Sequence, residues 1–214
     1  MRSRWFGLAV VALAFAVSVW AYPGLPDRVA THWGLSGEPN GYSSRLVAVF
    51  GVPLLMVGLY ALFRLAPRID PRHTNYERFI DSCWLIVNAV VLFLGGVHAL
   101  IVANGLGHRV VVSTVVPLGL GVLFMFFGNY LRRVEPNWFL GIRTPWTLSS
   151  DVVWRKAHRT GGWAFFLGGL AIAATVVLPP SVAAPIIAGA FAAIVAIPVV
   201  QSYVLWKREQ ADRR

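Results

Sequence analysis

The chain reads as an all-α polytopic membrane protein with six transmembrane helices, both termini cytoplasmic, and one short interfacial helix in a long inward loop. Three observations carry that reading. Hydrophobic residues fill 57% of the 214 positions and charged residues only 13%, too little charge to clothe a soluble domain of this size. The apolar residues recur in runs of the length, about 20 residues, that a bilayer core requires. The basic residues collect in alternate connections between those runs, as they do in proteins that obey the positive-inside rule.

The runs lie at about 5–22, 46–65, 83–104, 110–131, 163–179 and 182–206, and all nine acidic residues fall outside them. Of the nineteen Lys and Arg residues, sixteen lie before the first span, at or between spans two and three, between spans four and five, or in the tail. Only Arg28, Arg45 and Arg109 fall on the other side, which places both termini in the cytoplasm. A cleaved leader ending at Val19-Trp20-Ala21 is the alternative for the first run. Its apolar stretch exceeds the roughly 7–15 residues of a leader's core, so it is taken as a span. The formal charge of +10 sits in short juxtamembrane segments, where anionic lipids at the inner leaflet are sufficient partners; direct nucleic-acid binding is not expected. The single Cys83 leaves no intramolecular disulfide and no cysteine metal cluster.

The spans group into an N-terminal two-span unit at 1–66 with a structured outward loop at 22–45, and a four-span unit at 83–206 with an inward loop at 128–162. A cytoplasmic connector, 67–82, joins them, and a basic tail, 207–214, follows. In the outward loop, Pro39-Asn40-Gly41 is a strong turn signal and Ser36-Gly37 a second one just before it. Trp33 and Tyr42 are placed to rest at the outer interface. In the inward loop, Ser149 or Ser150 is suited to cap a helix with Asp151 in its first turn. On that helix Val153, Trp154 and Ala157 share one face and Arg155, Lys156 and Arg159 cover the rest, the pattern of a short helix lying on the inner leaflet.

Within the spans, glycines pair at spacings of seven: Gly51 with Gly58, Gly121 with Gly128, Gly161 with Gly168. Each pair falls on one helix face, as close packing in lipid requires. Pro53, Pro117, Pro185 and Pro198 are expected to kink their helices. His98 and Asn88 are expected to hydrogen-bond across helices, since no span holds an acid to complete a proton relay. No internal repeat supports an inverted-repeat transporter.

Catalytic and metal chemistry find little footing. His32 with Asp27 and Glu38 matches no ligand spacing and reads as a packing pair with Trp33. His158 has hydroxyls nearby at Thr144, Thr147 and Ser149, but no nucleophile motif, phosphate loop or metalloprotease motif accompanies it. No cofactor and no enzymatic activity are expected. The inward stretch is nevertheless unusual for a tether. It carries Trp138, Trp146 and Trp154, two prolines and six Lys and Arg residues. In Gly141-Ile142-Arg143-Thr144-Pro145-Trp146, backbone punctuators flank an arginine that is expected to hold the loop in one shape, stacked on Trp146 or bridging to Glu135 or Asp151.

The two loops together resemble a known family. Gly128-Asn129-Tyr130, Pro136-Asn137, Gly141 through Leu148, Trp154-Arg155-Lys156 and His158-Arg159 resemble the signature of the SdpI family of bacterial immunity proteins. Leu25-Pro26, His32-Trp33, Gly37 and Gly41-Tyr42 resemble a small membrane domain of unknown function often found ahead of it. The resemblance implies a six-span inner-membrane protein that protects a cell from a secreted peptide toxin. It also implies a signal transducer that holds a small winged-helix autorepressor at the membrane. Pro26, His32, Trp33 and Tyr42 are then candidates for toxin sensing on the outer loop. Asn129, Asn137, Arg143, Thr144, Pro145, Trp146, Trp154, Arg155, His158 and Arg159 are candidates for coupling or docking on the inner one. The inner block is either a docking surface or a structural latch. A small-solute or lipid transporter is the alternative function.

Overall fold

The computed structural model describes residues 4–34 and 36–212; Arg2, Arg213 and Arg214 of the basic count therefore lie outside the described residues. Among the described residues, six helices are long and apolar enough to cross a membrane. They are α1 (Arg4–Ala21), α2 (Arg45–Ile69), α3 (Tyr76–Gly105), α4 (Val112–Leu131), α6 (Asp151–Ala174) and α7 (Pro180–Asp212), with a short α5 (Pro145–Ser149) before α6. A two-stranded antiparallel hairpin, β1 (Arg28–Trp33) and β2 (Pro39–Ser44), joins α1 to α2.

α1, α2 and α3 pack together around Val11, Ala14, Met56, Tyr60, Val87 and Val91, all buried. α4, α6 and α7 form a second group, with Phe124 of α4 packed edge-on against Phe165 of α6 and Phe191 of α7, ring centroids 5.5 Å away in both cases. The glycine pattern explains the second group. A Cβ on Gly121 would lie 2.5 Å from the Gly169 carbonyl oxygen, and one on Gly128 would lie 2.5 Å from that of Gly162. The two helices thus meet backbone to backbone along two glycine contacts per helix, the arrangement that dispersion favours where lipid supplies no hydrophobic drive. Gly161 and Gly168 turn the other way, toward Pro198 and Ile194 of α7. Gly51 and Gly58 do not form a packing face: around Gly58 a Cβ would meet nothing within 4 Å.

Two expectations are corrected. The interfacial helix is not separate. Ser150 caps it, accepting the Val153 N–H at 3.3 Å with Asp151 in the first turn, but it runs on unbroken as α6 to Ala174. Two adjacent glycines, which each cost a helix roughly 1 kcal/mol, are retained because α4 and α7 close on them. The non-helical part of the inward stretch therefore shrinks to residues 132–144, and the connector to 70–75. In the outward loop, Pro39-Asn40-Gly41 belongs to β2, and the reversal is made at Gly34–Glu38, where Gly37 has φ 86°. Gly41 earns its place differently, since a Cβ there would lie 2.9 Å from the Cβ of His32 on the facing strand. The prolines at 53, 117, 185 and 198 sit inside continuous helices, and α3 carries non-helical angles at Phe79 (φ −135°, ψ 15°).

His98 is buried, and its Nε2 lies 3.1 Å from the Ala14 carbonyl oxygen and 3.2 Å from Ser18 Oγ, tying α3 to α1 as expected. Ser18 also donates to the Val49 carbonyl of α2 at 2.7 Å.

Gly121→Ala is expected to force α4 and α6 apart and to lower unfolding stability in mixed micelles by roughly 1–3 kcal/mol. Gly58→Ala should cost nothing measurable, and equal losses from the two would contradict the packing role.

Candidate functional site

The hairpin and the 132–144 segment lie at opposite ends of the bundle, because successive membrane-length helices alternate direction. At the hairpin end, Leu25 and Val29 are buried against Gly105 at the end of α3, where a Cβ would lie 3.1 Å from Val29 Cγ1. Trp33 is half-buried in the same cluster. Pro26, His32 and Tyr42 remain exposed, with His32 Nδ1 bonded to Asn40 Oδ1 across the strands. Arg45 pairs with Asp27 and its guanidinium lies 5.3 Å from the Tyr22 ring centroid, fixing the hairpin to the helix ends. Three of the four candidate sensing residues, His32, Trp33 and Tyr42, lie on the hairpin, and Pro26 stands just before it.

The other end is built around backbone groups that need partners. Residues 132–144 make no helix or strand, so their amides have no regular acceptors, and a buried amide left unpaired costs about 1–3 kcal/mol. Side chains supply the acceptors. Asn137, fully buried, accepts the Phe139 and Leu140 N–H groups on Oδ1 at 2.8 and 2.6 Å. Its Nδ2 donates to the Glu135 and Leu140 carbonyls at 2.8 and 2.9 Å. Asp70, buried just past the end of α2, accepts the Trp138 N–H at 2.8 Å and the Tyr76 hydroxyl at 2.9 Å on Oδ2. Its Oδ1 accepts the Arg72 N–H at 2.7 Å. The chain stops there for a local reason: Pro71 follows, and a residue before proline is pushed out of the α region, as Asp70 is at φ −75°, ψ 127°.

His158 serves the next amide. The Ile142 N–H donates to its Nε2 at 3.0 Å, so that nitrogen carries no proton, and Nδ1–H donates to the Trp154 carbonyl at 2.9 Å. One nitrogen accepts and the other donates, which fixes the neutral ring and its tautomer. The imidazole stacks on Trp154, centroids 4.0 Å apart. Gly141 sits directly against Nε2 at φ 113°, a conformation and a clearance that only glycine satisfies. Thr144 and Thr147 form a reciprocal capping box at the start of α5, with the Thr144 hydroxyl 3.1 Å from that of Ser202 on α7. Trp154, fully buried, donates its indole N–H to the Val134 carbonyl at 2.8 Å.

Around this knot the α2–α3 connector acts as a clamp. Arg72 donates to Asp151 at 2.8 Å and to the Leu148 carbonyl at 3.0 Å, and Asn75 donates to the Pro136 carbonyl at 2.7 Å.

Of the inner candidates, Asn137, Thr144, Trp154 and His158 converge in the knot. Trp154 lies in the core and not at an interface. Arg143 is exposed and donates to the Trp138 carbonyl at 2.6 Å; it neither stacks on Trp146 nor bridges Asp151, which Arg72 takes. Trp146 packs on Tyr203 of α7, centroids 5.1 Å apart. Asn129, Pro145, Arg155 and Arg159 are exposed on the surface around the knot. Sequence reasoning missed Asp70, Arg72, Asn75 and Tyr76 as parts of the site. The Asp70-Pro71 pair was the signal available, an acid placed at a helix stop.

Six membrane-length helices with a built structure at each end define a multi-pass cell-membrane protein. Residues 133–202 match the SdpI/YfhL protein family, and residues 9–57 match a domain of unknown function (DUF1648). It is 25% identical over 173 residues to Immunity protein SdpI of Bacillus subtilis (strain 168), covering 81% of each chain. No solved structure matches it. The knot falls inside the family segment except for its clamp, Asp70 to Tyr76, which lies between the two matched regions.

Asn137→Ala orphans two amides and two carbonyls together and is expected to cost at least about 2–4 kcal/mol of unfolding stability. It should also open residues 132–144 to limited proteolysis. Trp154→Phe, which keeps an aromatic ring but loses the indole donor and some buried volume, should cost at least about 1–2 kcal/mol and leave the segment resistant. Equal protease resistance of Asn137→Ala and the unmodified protein would show that the knot does not hold the segment.

Proposed function

We propose that the chain is a membrane immunity protein that protects its cell against a secreted peptide toxin, by binding and not by catalysis. The observation that carries this reading is the similarity, over 81% of both chains, to Immunity protein SdpI. The charge asymmetry supplies the direction. With sixteen of nineteen basic residues on the knot side of the sequence, that side faces the cytoplasm and the hairpin faces out, where a secreted toxin arrives. Pro26, His32, Trp33 and Tyr42 then form the sensing surface.

On the cytoplasmic side, the buried knot is the latch, and its exposed rim is the docking surface for a small winged-helix autorepressor. That rim comprises the exposed Arg143, Pro145, Arg155 and Arg159 and the half-buried Trp146, with Asn129 beside it. On this reading Asn137, Thr144, Trp154 and His158 hold the shape and the rim offers contacts. Holding a repressor at the membrane would make the same protein a signal transducer.

Two experiments test the reading. In a Cys83→Ser background, Ser36→Cys is expected to react with a membrane-impermeant maleimide in intact cells, whereas Trp138→Cys should react only after lysis. The reverse pattern would invert the topology. Expressed in a cell sensitive to membrane-active peptides, the chain is expected to restore survival against its toxin. His32→Ala with Tyr42→Ala should remove that protection at unchanged membrane levels. Arg143→Ala or Trp146→Ala should lose repressor release or protection. Full protection by every variant would leave the loops as scaffold, and solute flux through the reconstituted protein would favour a transporter.

A further inference from the structure

Between α3 and α4, where the two helix groups meet, the structure leaves a groove of about 420 Å³. Every lining residue is apolar, among them Ala89, Phe93, Gly96, Gly119, Val122 and Phe126. It runs along helices of membrane-crossing length, so the medium at its mouth is lipid tail and not water. Gly96 shows that the chain leaves this room unfilled, since a Cβ there would meet nothing within 4 Å.

The groove has a chemically distinct end. Phe126 and Tyr130, four residues apart, share one face of the last turns of α4, and Arg133 follows just past its end. The Phe126 and Tyr130 ring centroids are 4.6 Å apart, and the Arg133 guanidinium lies 5.1 Å from the Tyr130 centroid. Arg133 is exposed and has no ion-pair partner among the described residues. An apolar trough closed by an aromatic ring and an unpaired cation is complementary to an acyl chain that ends in a phosphate. A membrane-crossing peptide helix, with its diameter of about 10–12 Å and length near 30 Å, is far too bulky for the trough.

We propose that the α3/α4 groove is a binding site for an anionic phospholipid, with one acyl chain lying past Gly96 and Gly119 and the headgroup phosphate at Arg133. The site is distinct from the hairpin and the knot, and it stands whether or not the immunity reading does.

The test is native mass spectrometry of the full-length protein with dioleoyl phosphatidylglycerol and dioleoyl phosphatidylcholine in competition. The unmodified protein is expected to prefer the anionic lipid about fivefold, the scale of one basic residue's attraction to it. Arg133→Gln should bring the ratio close to one. Arg132→Gln should keep the preference, because that guanidinium lies over Trp163 on the α6 side, 6.0 Å from its centroid. Gly96→Leu should lower occupancy by both lipids while eluting and melting as the unmodified protein does. Crosslinking in membranes from Val122→p-benzoylphenylalanine should give a phospholipid adduct, a readout independent of how well Gly96→Leu folds. No anionic preference, equal effects at Arg132 and Arg133, or an adduct with a second copy or another polypeptide would each overturn the site.

Discussion

The backbone from Trp138 to Thr144 depends on side chains for its hydrogen bonds, and the arrangement at this end of the molecule follows from meeting that need. Trp138 donates to Asp70, Phe139 and Leu140 to Asn137, Ile142 to His158, and Thr144 to Thr147. The acceptors come from the end of α2, from the segment itself, from α5 and from α6. A segment without regular structure thereby finds an acceptor for each of these amides. Networks of this kind stabilise only when every member is satisfied, because a single missing partner strands a buried polar group. That explains the cluster of unlike residues here: an acid, an amide, an imidazole, two threonines and a glycine, each with a separate geometric duty.

The helix packing makes this network possible. Glycine contacts at 121 and 128 bring α4 against α6, so the last turn of α4 delivers the chain beside the first turns of α6, where Trp154 and His158 wait. α7 adds the Ser202 hydroxyl to Thr144. The clamp from Asp70 to Tyr76 joins the first three helices to this group on the basic side, and His98 and Ser18 bind α1, α2 and α3 to one another within the bundle. The hairpin rests on the far end of α3 through Val29 and Gly105. The hairpin thus rests on the same helix whose opposite end carries Tyr76.

The spans were legible because twenty-residue apolar runs have few structural alternatives, and the α4–α6 contact was foreshadowed by glycines seven residues apart. The same spacing misled at Gly51 and Gly58, since periodicity locates a face without saying what covers it. The Ser150 cap was readable, but the unbroken course of α6 was not. Only the neighbours that close on Gly161 and Gly162 offset their helix-breaking cost. Pro39-Asn40-Gly41 is a strong local turn signal that tertiary pairing overrode, because His32 needs a partner position without a side chain. At the knot, Asn137, Thr144, Trp154 and His158 could be singled out by type and grouping. Tyr76 could not, and Asp70 showed only as an acid before a proline at a helix stop, because the partners that tie the two into the knot, Asn137 and Trp138, are more than sixty positions away.

The most direct test of the side-chain-held segment is amide hydrogen exchange of the full-length protein in lipid nanodiscs, resolved at residues 138–144. The expected result is protection of Trp138, Phe139, Leu140 and Ile142 at a level approaching that of the flanking turns of α4 and α6, and its collapse in Asn137→Ala. Exchange of those four amides at the rate of an unstructured peptide in the unmodified protein would contradict it.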